Sequence, residues 1–194
     1  MKIHEIDQGT EEWMKLRLGK FTCSDAQAIA TNGKGLETLA FTKVAERKTG
    51  LFADAYDNAA MQYGRETEEL ARSAYEIQTG NQVKKVGFIE VNEWVGGSPD
   101  GLLGEDGLIE IKCPTNRVFV EYLYYKKIDP KYFAQMQMQM FVARRKWVDY
   151  VVFNPNFARS IIVERVEYDP DYSDKLTFGL AVGMGKAKEI LAKI

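Results

Sequence analysis

One short hairpin, predicted in the middle of the chain, constrains the fold more than any other segment. Ser98-Pro99-Asp100-Gly101 is followed by the glycine-bounded turn signal Gly104-Glu105-Asp106-Gly107 and then by a second apolar run that ends at Cys113. Two apolar runs separated by such a turn are typical of neighbouring antiparallel strands. We therefore predict that residues 94–103 and 108–113 form a hairpin.

The second strand of this hairpin separates charged from apolar side chains. Successive side chains on a strand point to opposite faces, so Glu110 and Lys112 lie on one face while Ile109 and Ile111 enter the core on the other. Asp100 lies near the end of the preceding strand, where a proline interrupts the pairing of the strands. We expect its carboxylate to approach that of Glu110.

Two converging carboxylates predict a site for a divalent cation. Oxygen ligands suit Mg²⁺ or Mn²⁺, and Mg²⁺ usually takes one or two carboxylates together with phosphate oxygens and waters. We expect Asp100, Glu110 and the carbonyl of Ile111 to be the ligands. Lys112 would orient or deprotonate an attacking water and offset charge on a phosphate, with a pKa lowered by burial. The solitary His4 excludes a multi-histidine zinc site.

Each half of this pattern also has an ordinary structural explanation. Asp-Gly is a common turn dipeptide, and a glutamate and a lysine two residues apart on a strand often form a solvated face. The combination of both halves, with apolar residues flanking the charged pair, favours a metal-dependent phosphodiesterase that acts on DNA.

The same residues resemble a known group of nucleases. Ser98-Pro99-Asp100-Gly101-Leu102 with Glu110-Ile111-Lys112-Cys113-Pro114 is similar to the core of the PD-(D/E)xK superfamily, specifically the lambda exonuclease or YqaJ-type viral recombinase family. Further segments resemble that family's motifs in the family's order, namely Gly9-Thr10-Glu11-Glu12-Trp13, Lys15-Leu16-Arg17-Leu18-Gly19, Thr22-Cys23-Ser24, Tyr63-Gly64-Arg65 before Glu68, Ala71-Arg72 and Ala134-Gln135-Met136-Gln137. The resemblance covers most of the chain.

This resemblance implies an activity and its surroundings. It implies a processive alkaline exonuclease that degrades the 5′-ended strand of linear double-stranded DNA and leaves 3′ single-stranded overhangs for phage-type recombination by strand annealing. The implied cofactor is Mg²⁺, with Mn²⁺ as a substitute and two ions in each site. The implied partners are further copies of the chain in a ring-shaped trimer and a phage single-strand annealing protein. The resemblance also implies a phage or prophage origin and a location in the cytoplasm of a bacterial host.

The resemblance also assigns roles to residues outside the hairpin. Glu68 matches an additional acidic residue across the cleft, and Gln135 matches a glutamine that positions water or the lysine. Arg17 and Ser24 match residues that grip the 5′-terminal phosphate, and Thr22 at a predicted helix start adds donors suited to an anion.

Each of these residues has a simpler reading. Arg17 could equally be a surface arginine near an ordinary helix cap. Glu68 could equally form a surface ion pair with Arg65 or Arg72. Met61 lies where the family carries an apolar wedge, although a helical methionine is more often core.

Two further segments bear on the site. Lys34 belongs to residues 31–35, a glycine-bearing stretch that predicts a mobile loop closing over the DNA end or merely connecting two elements. It is not a phosphate-binding P-loop, because a glycine follows Lys34. Gln135 and Gln139 stand one turn apart on a predicted helix rich in methionine, and because buried amides need partners we expect at least one to face the cleft.

The charge balance argues against a protein whose whole surface is basic and binds nucleic acid. The chain has 26 basic and 28 acidic side chains and a formal net charge of −2. A sequence-independent DNA binder usually shows a basic surface. Local clusters at Lys84-Lys85, Lys126-Lys127 and Arg144-Arg145-Lys146 remain available.

The whole chain, residues 1–194, is predicted to form a single nuclease domain. We predict an α/β fold of the PD-(D/E)xK restriction-endonuclease-like type, with a mixed sheet flanked by helices and the metal face opening at one edge of the sheet. The expected helices are 38–49, 57–79, 131–144 and 172–192, and the further strands are 82–91, 147–153 and 160–168. Two cysteines without metal-site spacing, no signal sequence and no long apolar run predict a cytosolic protein with no membrane contact.

Three other functions fit the same residues. The fold also carries endonucleases and single-strand exonucleases, which differ in the ends that they require. A catalytically silent DNA-binding module would bind duplex without cleaving it. A protein whose main task is to dock the annealing protein is a third possibility, and the sequence contains no interface that identifies it.

Overall fold

The computed structural model describes residues 1–52 and 59–194, apart from the side chains of residues 59–61 and 65. The helices, in chain order, are α1 Glu11–Arg17, α2 Ala26–Thr31, α3 Lys34–Thr49, α4 Ala59–Thr79, α5 Asn116–Tyr125, α6 Pro130–Ala143 and α7 Pro170–Lys193, with a 3₁₀ turn at Cys23–Asp25. The strands are β1 Lys2–His4, β2 Val83–Lys84, β3 Phe88–Glu90, β4 Gly96–Gly97, β5 Gly101–Leu103, β6 Gly107–Lys112, β7 Trp147–Phe153 and β8 Ile161–Glu167.

The strands form two sheets. The larger sheet has the order β2-β5-β6-β7-β8, and the smaller has the order β1-β3-β4. Within the larger sheet only β6 and β7 are parallel, and α5 and α6 lie in the connection between them. The mixed α/β architecture is confirmed. The charged face does not open at an edge of the sheet as predicted, because β6 is the central strand.

Apolar residues cover both faces of the larger sheet. Leu108 of β6 belongs to the larger core, to which α2, α3, α6 and α7 contribute. Ile109 and Ile111 belong to a second core on the opposite face, together with Ala71 and Tyr75 of α4. The predicted alternation along β6 is therefore confirmed.

The predicted hairpin exists, but its first strand is shorter than expected. β5 pairs with β6 in antiparallel register, with Gly101 opposite Ile109. Residues 96–97 instead pair with β3 in the smaller sheet, so residues 98–100 cross from one sheet to the other. The crossing brings the backbone close to β2, since a Cβ at Gly101 would lie 2.3 Å from Cγ1 of Val83. The predicted strand 82–91 divides between the two sheets in the same way.

The helices differ from prediction in several places, and two of these differences bear on predicted or observed site residues. Asn32 ends α2 in the left-handed conformation, with φ of 50°, and α3 begins at Lys34 rather than at Thr38. The predicted mobile loop is therefore a two-residue turn between helices. Helix α5 was not predicted, and its run is rich in valine, phenylalanine and tyrosine, which are residue types enriched in strands. No helix in residues 1–52 or 59–194 is long and apolar enough to cross a membrane.

Candidate active site

The charged face of β6 lies at the bottom of a large cleft. Asp100, Glu110 and Lys112 line this cleft, which has a volume of about 1170 Å³. Arg17 of α1 and Glu68 of α4 line it from other elements. Its wall includes side chains from α5, from the turn after α5 and from the first half of α6, namely Val118, Glu121, Tyr122, Tyr125, Lys127, Ile128, Asp129, Lys131, Tyr132 and Gln135. Predicted site residues from four separate parts of the sequence, namely Arg17, Glu68, the hairpin and Gln135, therefore share one cleft.

Asp100 meets Glu110 because of the register of the hairpin. Gly101 pairs with Ile109, so the preceding residue, Asp100, lies across from Glu110. Its carboxylate Oδ2 accepts a hydrogen bond of 2.7 Å from the backbone N–H of Ile111. Burial and the nearby carboxylates of Glu110 and Glu68 raise the pKa of Asp100 well above its ordinary value. The site therefore holds more negative charge than its own residues offset.

Glu110 is held by three side chains. It is 1% exposed, and its Oε1 lies 2.5 Å from Nζ of Lys112. Gln135 donates a hydrogen bond of 2.7 Å to the same oxygen, and Gln139 donates one of 2.5 Å to Oε2. The prediction that at least one of these glutamines faces the cleft is confirmed, since Gln135 lines it. The helix α6 therefore fixes the orientation of the Glu110 carboxylate.

Lys112 carries its proton more firmly than predicted. Burial favours the neutral amine most strongly, but the carboxylates of Glu110 and Asp100 together outweigh it and raise the pKa of Lys112 above its ordinary value. The expected lowering of this pKa is therefore wrong for the arrangement of side chains described here. The ammonium group, 4.7 Å from the centre of the Tyr132 ring, is placed to offset charge on a phosphate.

Gln139 was not among the predicted site residues, although its spacing from Gln135 was the signal that could have identified it. Replacing Gln139 by leucine is expected to lower metal-dependent activity roughly 10- to 100-fold, because the loss of an outer hydrogen bond loosens a buried carboxylate. The matched control is Gln137→Leu on the same helix, since Gln137 is equally buried but bonds to the backbone of Glu167 and Asp169. Activity per folded molecule and denaturation midpoints measure both variants. Equal activity losses in the two variants would contradict a role in the site.

Glu68 joins the site through a buried arginine. Arg72, which is 7% exposed, donates to Oε1 of Glu68 at 2.6 Å and to the backbone carbonyl of Asp100. The ion pair with Arg72 that formed the simpler reading of Glu68 is present, but it lies beside the cleft. Burial is the main cause that raises the pKa of Glu68. Arg72 thus links α4 to the residue that precedes β5, a contact that sequence spacing did not reveal.

A chain of contacts brings Arg17 to the same cleft. Nε1 of Trp13 donates to Oγ of Ser98 at 2.9 Å, and Nε2 of Gln8 donates to the carbonyl of Pro99 at 3.0 Å. The guanidinium of Arg17 lies over the Trp13 ring, 4.3 Å from its centre. Burial lowers the pKa of Arg17, and its guanidinium has no ion-pair partner among the residues described.

Thr22, Ser24 and Lys34, the other predicted DNA-binding residues whose side chains the structure describes, do not line the cleft. Thr22 is buried, and its hydroxyl donates to Oδ2 of Asp25 in a capping box at the 3₁₀ turn. Ser24 is exposed, with its hydroxyl 3.1 Å from that of Thr22. Lys34 is the exposed first residue of α3. The side chain of Met61 lies outside the part of the chain that the structure describes.

The few oxygen ligands that the protein offers here suit a cation that also binds water molecules and phosphate oxygens. In the described part of the chain, no three histidine, cysteine, aspartate or glutamate side chains are grouped closely enough to hold one ion. Two carboxylates, Asp100 and Glu110, with the carbonyl of Ile111 form a smaller set. Mg²⁺ commonly binds through one or two carboxylates, with substrate phosphates and waters completing the shell. Burial, and after it the carboxylates of Glu110 and Glu68, raise the pKa of Asp100, and a bound cation would favour its charged form.

Comparisons with known proteins identify solved structures that are similar to nearly the whole chain. Two crystal structures of LHK-Exo, an alkaline exonuclease from Laribacter hongkongensis, are 34% identical to the chain. One covers 95% of this chain and 97% of that chain with a TM-score of 0.82. The other, a complex with dAMP, covers 95% of each with a TM-score of 0.87. A phage related exonuclease from Haemophilus somnus 129PT is 18% identical over 93% of this chain and 99% of that chain, with a TM-score of 0.69, and supports the fold alone.

The family assignment follows from a match to a family model. Among curated proteins, none matches the chain. The model of the YqaJ-like viral recombinase domain matches residues 12–146. This range contains Arg17, Glu68, Asp100, Glu110, Lys112 and Gln135, all of which line the cleft. The chain therefore belongs to the YqaJ-like viral recombinase domain family, as its motifs predicted.

Proposed function

We propose that this protein is a Mg²⁺-dependent deoxyribonuclease that degrades the 5′-ended strand of linear double-stranded DNA and leaves 3′ single-stranded overhangs. The observation that carries the proposal is the meeting of Asp100, Glu110 and Lys112 in a cleft that Arg17 also lines. The 34% identity to an alkaline exonuclease over nearly the whole of both chains supports it.

The proposed roles follow from the contacts. Asp100, Glu110 and the Ile111 carbonyl would hold the cation, which supplies Lewis acidity at the scissile phosphate when bound. Lys112 holds its proton at Nζ and stabilises the negative charge that develops on the phosphate oxygens. Gln135 and Gln139 keep the Glu110 carboxylate oriented toward the cleft. Glu68 adds negative charge on the opposite wall, where Arg72 positions it.

The decisive experiment compares linear with covalently closed duplex of the same sequence. With Mg²⁺, linear DNA should be shortened from its 5′ ends while closed circles stay intact, and chelation should stop the reaction. Strand-specific end labels read the polarity. Cleavage of closed circles would establish the endonuclease alternative, and duplex binding without cleavage in Mg²⁺ or Mn²⁺ would establish the silent binding module. A titration of activity against metal concentration tests the proposed second ion.

Arg17 is proposed to bind the 5′-terminal phosphate. Its guanidinium, which is only partly exposed and has no carboxylate partner among the residues described, suits a planar two-point contact with a phosphate. Arg17→Ala is expected to lower the initial rate on 5′-phosphorylated ends about tenfold or more, with a smaller effect on 5′-hydroxyl ends. Lys15→Ala is the control, because Lys15 on the same helix is exposed and pairs with Glu11. Equal losses on both kinds of end would contradict a contact to the terminal phosphate.

Two partners complete the proposal. Enclosure of DNA by a ring-shaped trimer would offset the weak attraction of a chain with a formal net charge of −2. A single-strand annealing protein would take up the exposed 3′ strand. Light scattering tests the trimer, and co-purification from a host that expresses both proteins tests the annealing partner.

A further inference from the structure

We propose that Tyr124, Tyr125, Lys126 and Lys127, named here the tyrosine rim, bind unpaired nucleotides of the DNA next to the cleft. The proposal rests on the proposed function, and it assigns a binding surface that the catalytic residues do not explain. The expected ligand is a single-stranded segment, with bases stacked on the tyrosine rings and phosphates near the lysines.

The first support is the exposure of two adjacent aromatic rings. Tyr124 is 78% exposed and Tyr125 is 70% exposed, whereas Tyr122, one turn earlier on α5, is half-buried. The two rings meet edge to face, with their centres 4.9 Å apart and their planes at 89°. This arrangement leaves ring surface open to solvent. Open aromatic faces bind bases without regard to sequence, since every base has a flat face on which to stack.

The second support is continuity with the active site. α5 begins only four residues after Lys112 along the chain. Val118, Tyr122 and Tyr125 line the cleft, and their spacing of four and three residues places them on one face of the helix. A strand that leaves the carboxylates along this wall therefore reaches Tyr125 without crossing another element.

The third support is charge. The cations of Arg117 and Lys131 on either side of the rim are paired with Glu121 and Asp129. Lys126 and Lys127 form no ion pair with any residue in the described ranges. Two unpaired lysines beside two open rings match the alternating phosphates and bases of a single strand. A protein partner could cover the two tyrosine rings with apolar side chains, but it would need additional acidic groups to neutralise Lys126 and Lys127.

The test measures binding of a fluorescein-labelled ten-residue oligothymidylate by anisotropy, with Ca²⁺ in place of Mg²⁺. The double variant Y124A/Y125A should bind about tenfold more weakly, in line with the loss of one to two stacked bases. Y124F/Y125F keeps both rings and should bind like the original protein. The control Y168A removes a partly exposed tyrosine that directly follows β8 and lies outside the cleft, and this variant should also bind normally.

Each contrary result has a distinct meaning. Unchanged binding by Y124A/Y125A, or an equal loss in Y124F/Y125F, would overturn stacking on the rim. A change in the oligomeric state of Y124A/Y125A, seen by light scattering, would show that the rim is an interface between copies and would also overturn the proposal. Failure of the proposed function has a separate signature, namely no hydrolysis of linear duplex by the original protein in Mg²⁺. Oligothymidylate binding in Ca²⁺ is measured independently of that result.

Discussion

Replacing Lys112 by alanine is expected to lower DNA hydrolysis about 10³-fold, which is within the usual range for the loss of a positioned proton-bearing side chain. The ammonium group lies 2.5 Å from Glu110 and belongs to the carboxylate cluster of the cleft. Its removal leaves the charge that develops on the phosphate without a nearby cation from the protein. Duplex binding in Ca²⁺ should stay within about threefold, because such binding is spread over many phosphate contacts. Single-turnover cleavage and anisotropy measure the two effects.

The control for this experiment is Lys131→Ala. Nζ of Lys131, like that of Lys112, lies 4.7 Å from the centre of the Tyr132 ring. Lys131 is more exposed and pairs with Asp129, whereas Lys112 pairs with Glu110. Its replacement should change the cleavage rate by no more than about threefold, as expected for an exposed ion pair. Unchanged turnover in Lys112→Ala would remove Lys112 from the mechanism, and loss of folding would appear as a lowered melting temperature.

Much of the site was predictable because its signals are local. The alternation of Glu110 and Lys112 with two isoleucines needs only the period of a strand, and the turn 104–107 fixes the partner of that strand. The same register places Asp100 across from Glu110. The spacing of Gln135 and Gln139 likewise predicts that their amides lie on one face of a helix.

The parts that could not be predicted depend on contacts between distant segments. Residues 94–103 read as one strand, yet residues 96–97 pair with β3 and residues 101–103 pair with β6, so the segment crosses between two sheets. Arg72 reads as an ordinary ion-pair partner, and its burial against the Asp100 carbonyl follows only from how α4 packs on the sheet. The pKa of Lys112 depends on its distances to two carboxylates, which spacing along a strand does not give.

The same cluster of charges links activity to stability. Asp100, Glu110 and Glu68 crowd negative charge at the bottom of the cleft, and Lys112 and Arg72 are the cations that contact them. The raised pKa of Asp100 indicates that folding opposes its ionisation. Functional sites commonly carry such unfavourable charge, and residues that relieve it stabilise the fold at the expense of activity.

Asp100→Asn is accordingly expected to stabilise the metal-free protein at pH 7 by roughly 1 kcal/mol, a typical size for the effect of one substitution, because the neutral amide cannot ionise in this buried position. Asp100 has a higher pKa in the folded protein than in the unfolded chain. Asp100 therefore contributes favourably to the free energy of unfolding at pH values below its pKa in the unfolded chain. This contribution is lost as the pH rises through its pKa in the folded protein. The asparagine amide does not ionise, so the variant does not lose stability in this way. The variant should therefore be clearly more stable than the original protein at pH 7 and only slightly more stable near pH 4. Urea denaturation in a chelator at both pH values measures it.

Added Mg²⁺ should reverse the order of stability. A cation that binds only the folded protein raises its free energy of unfolding, and tighter binding raises it more. The increase should be large for the original protein. It should be small for Asp100→Asn, because this variant lacks one charged ligand. The variant should also lose metal-dependent cleavage. Asp106→Asn in the exposed turn of the same hairpin is the control, with a stability change near zero, full activity and the normal response to Mg²⁺. An equal gain in stability from Mg²⁺ in Asp100→Asn would mean that Asp100 is not a ligand, because removing its charge would then leave the binding free energy unchanged.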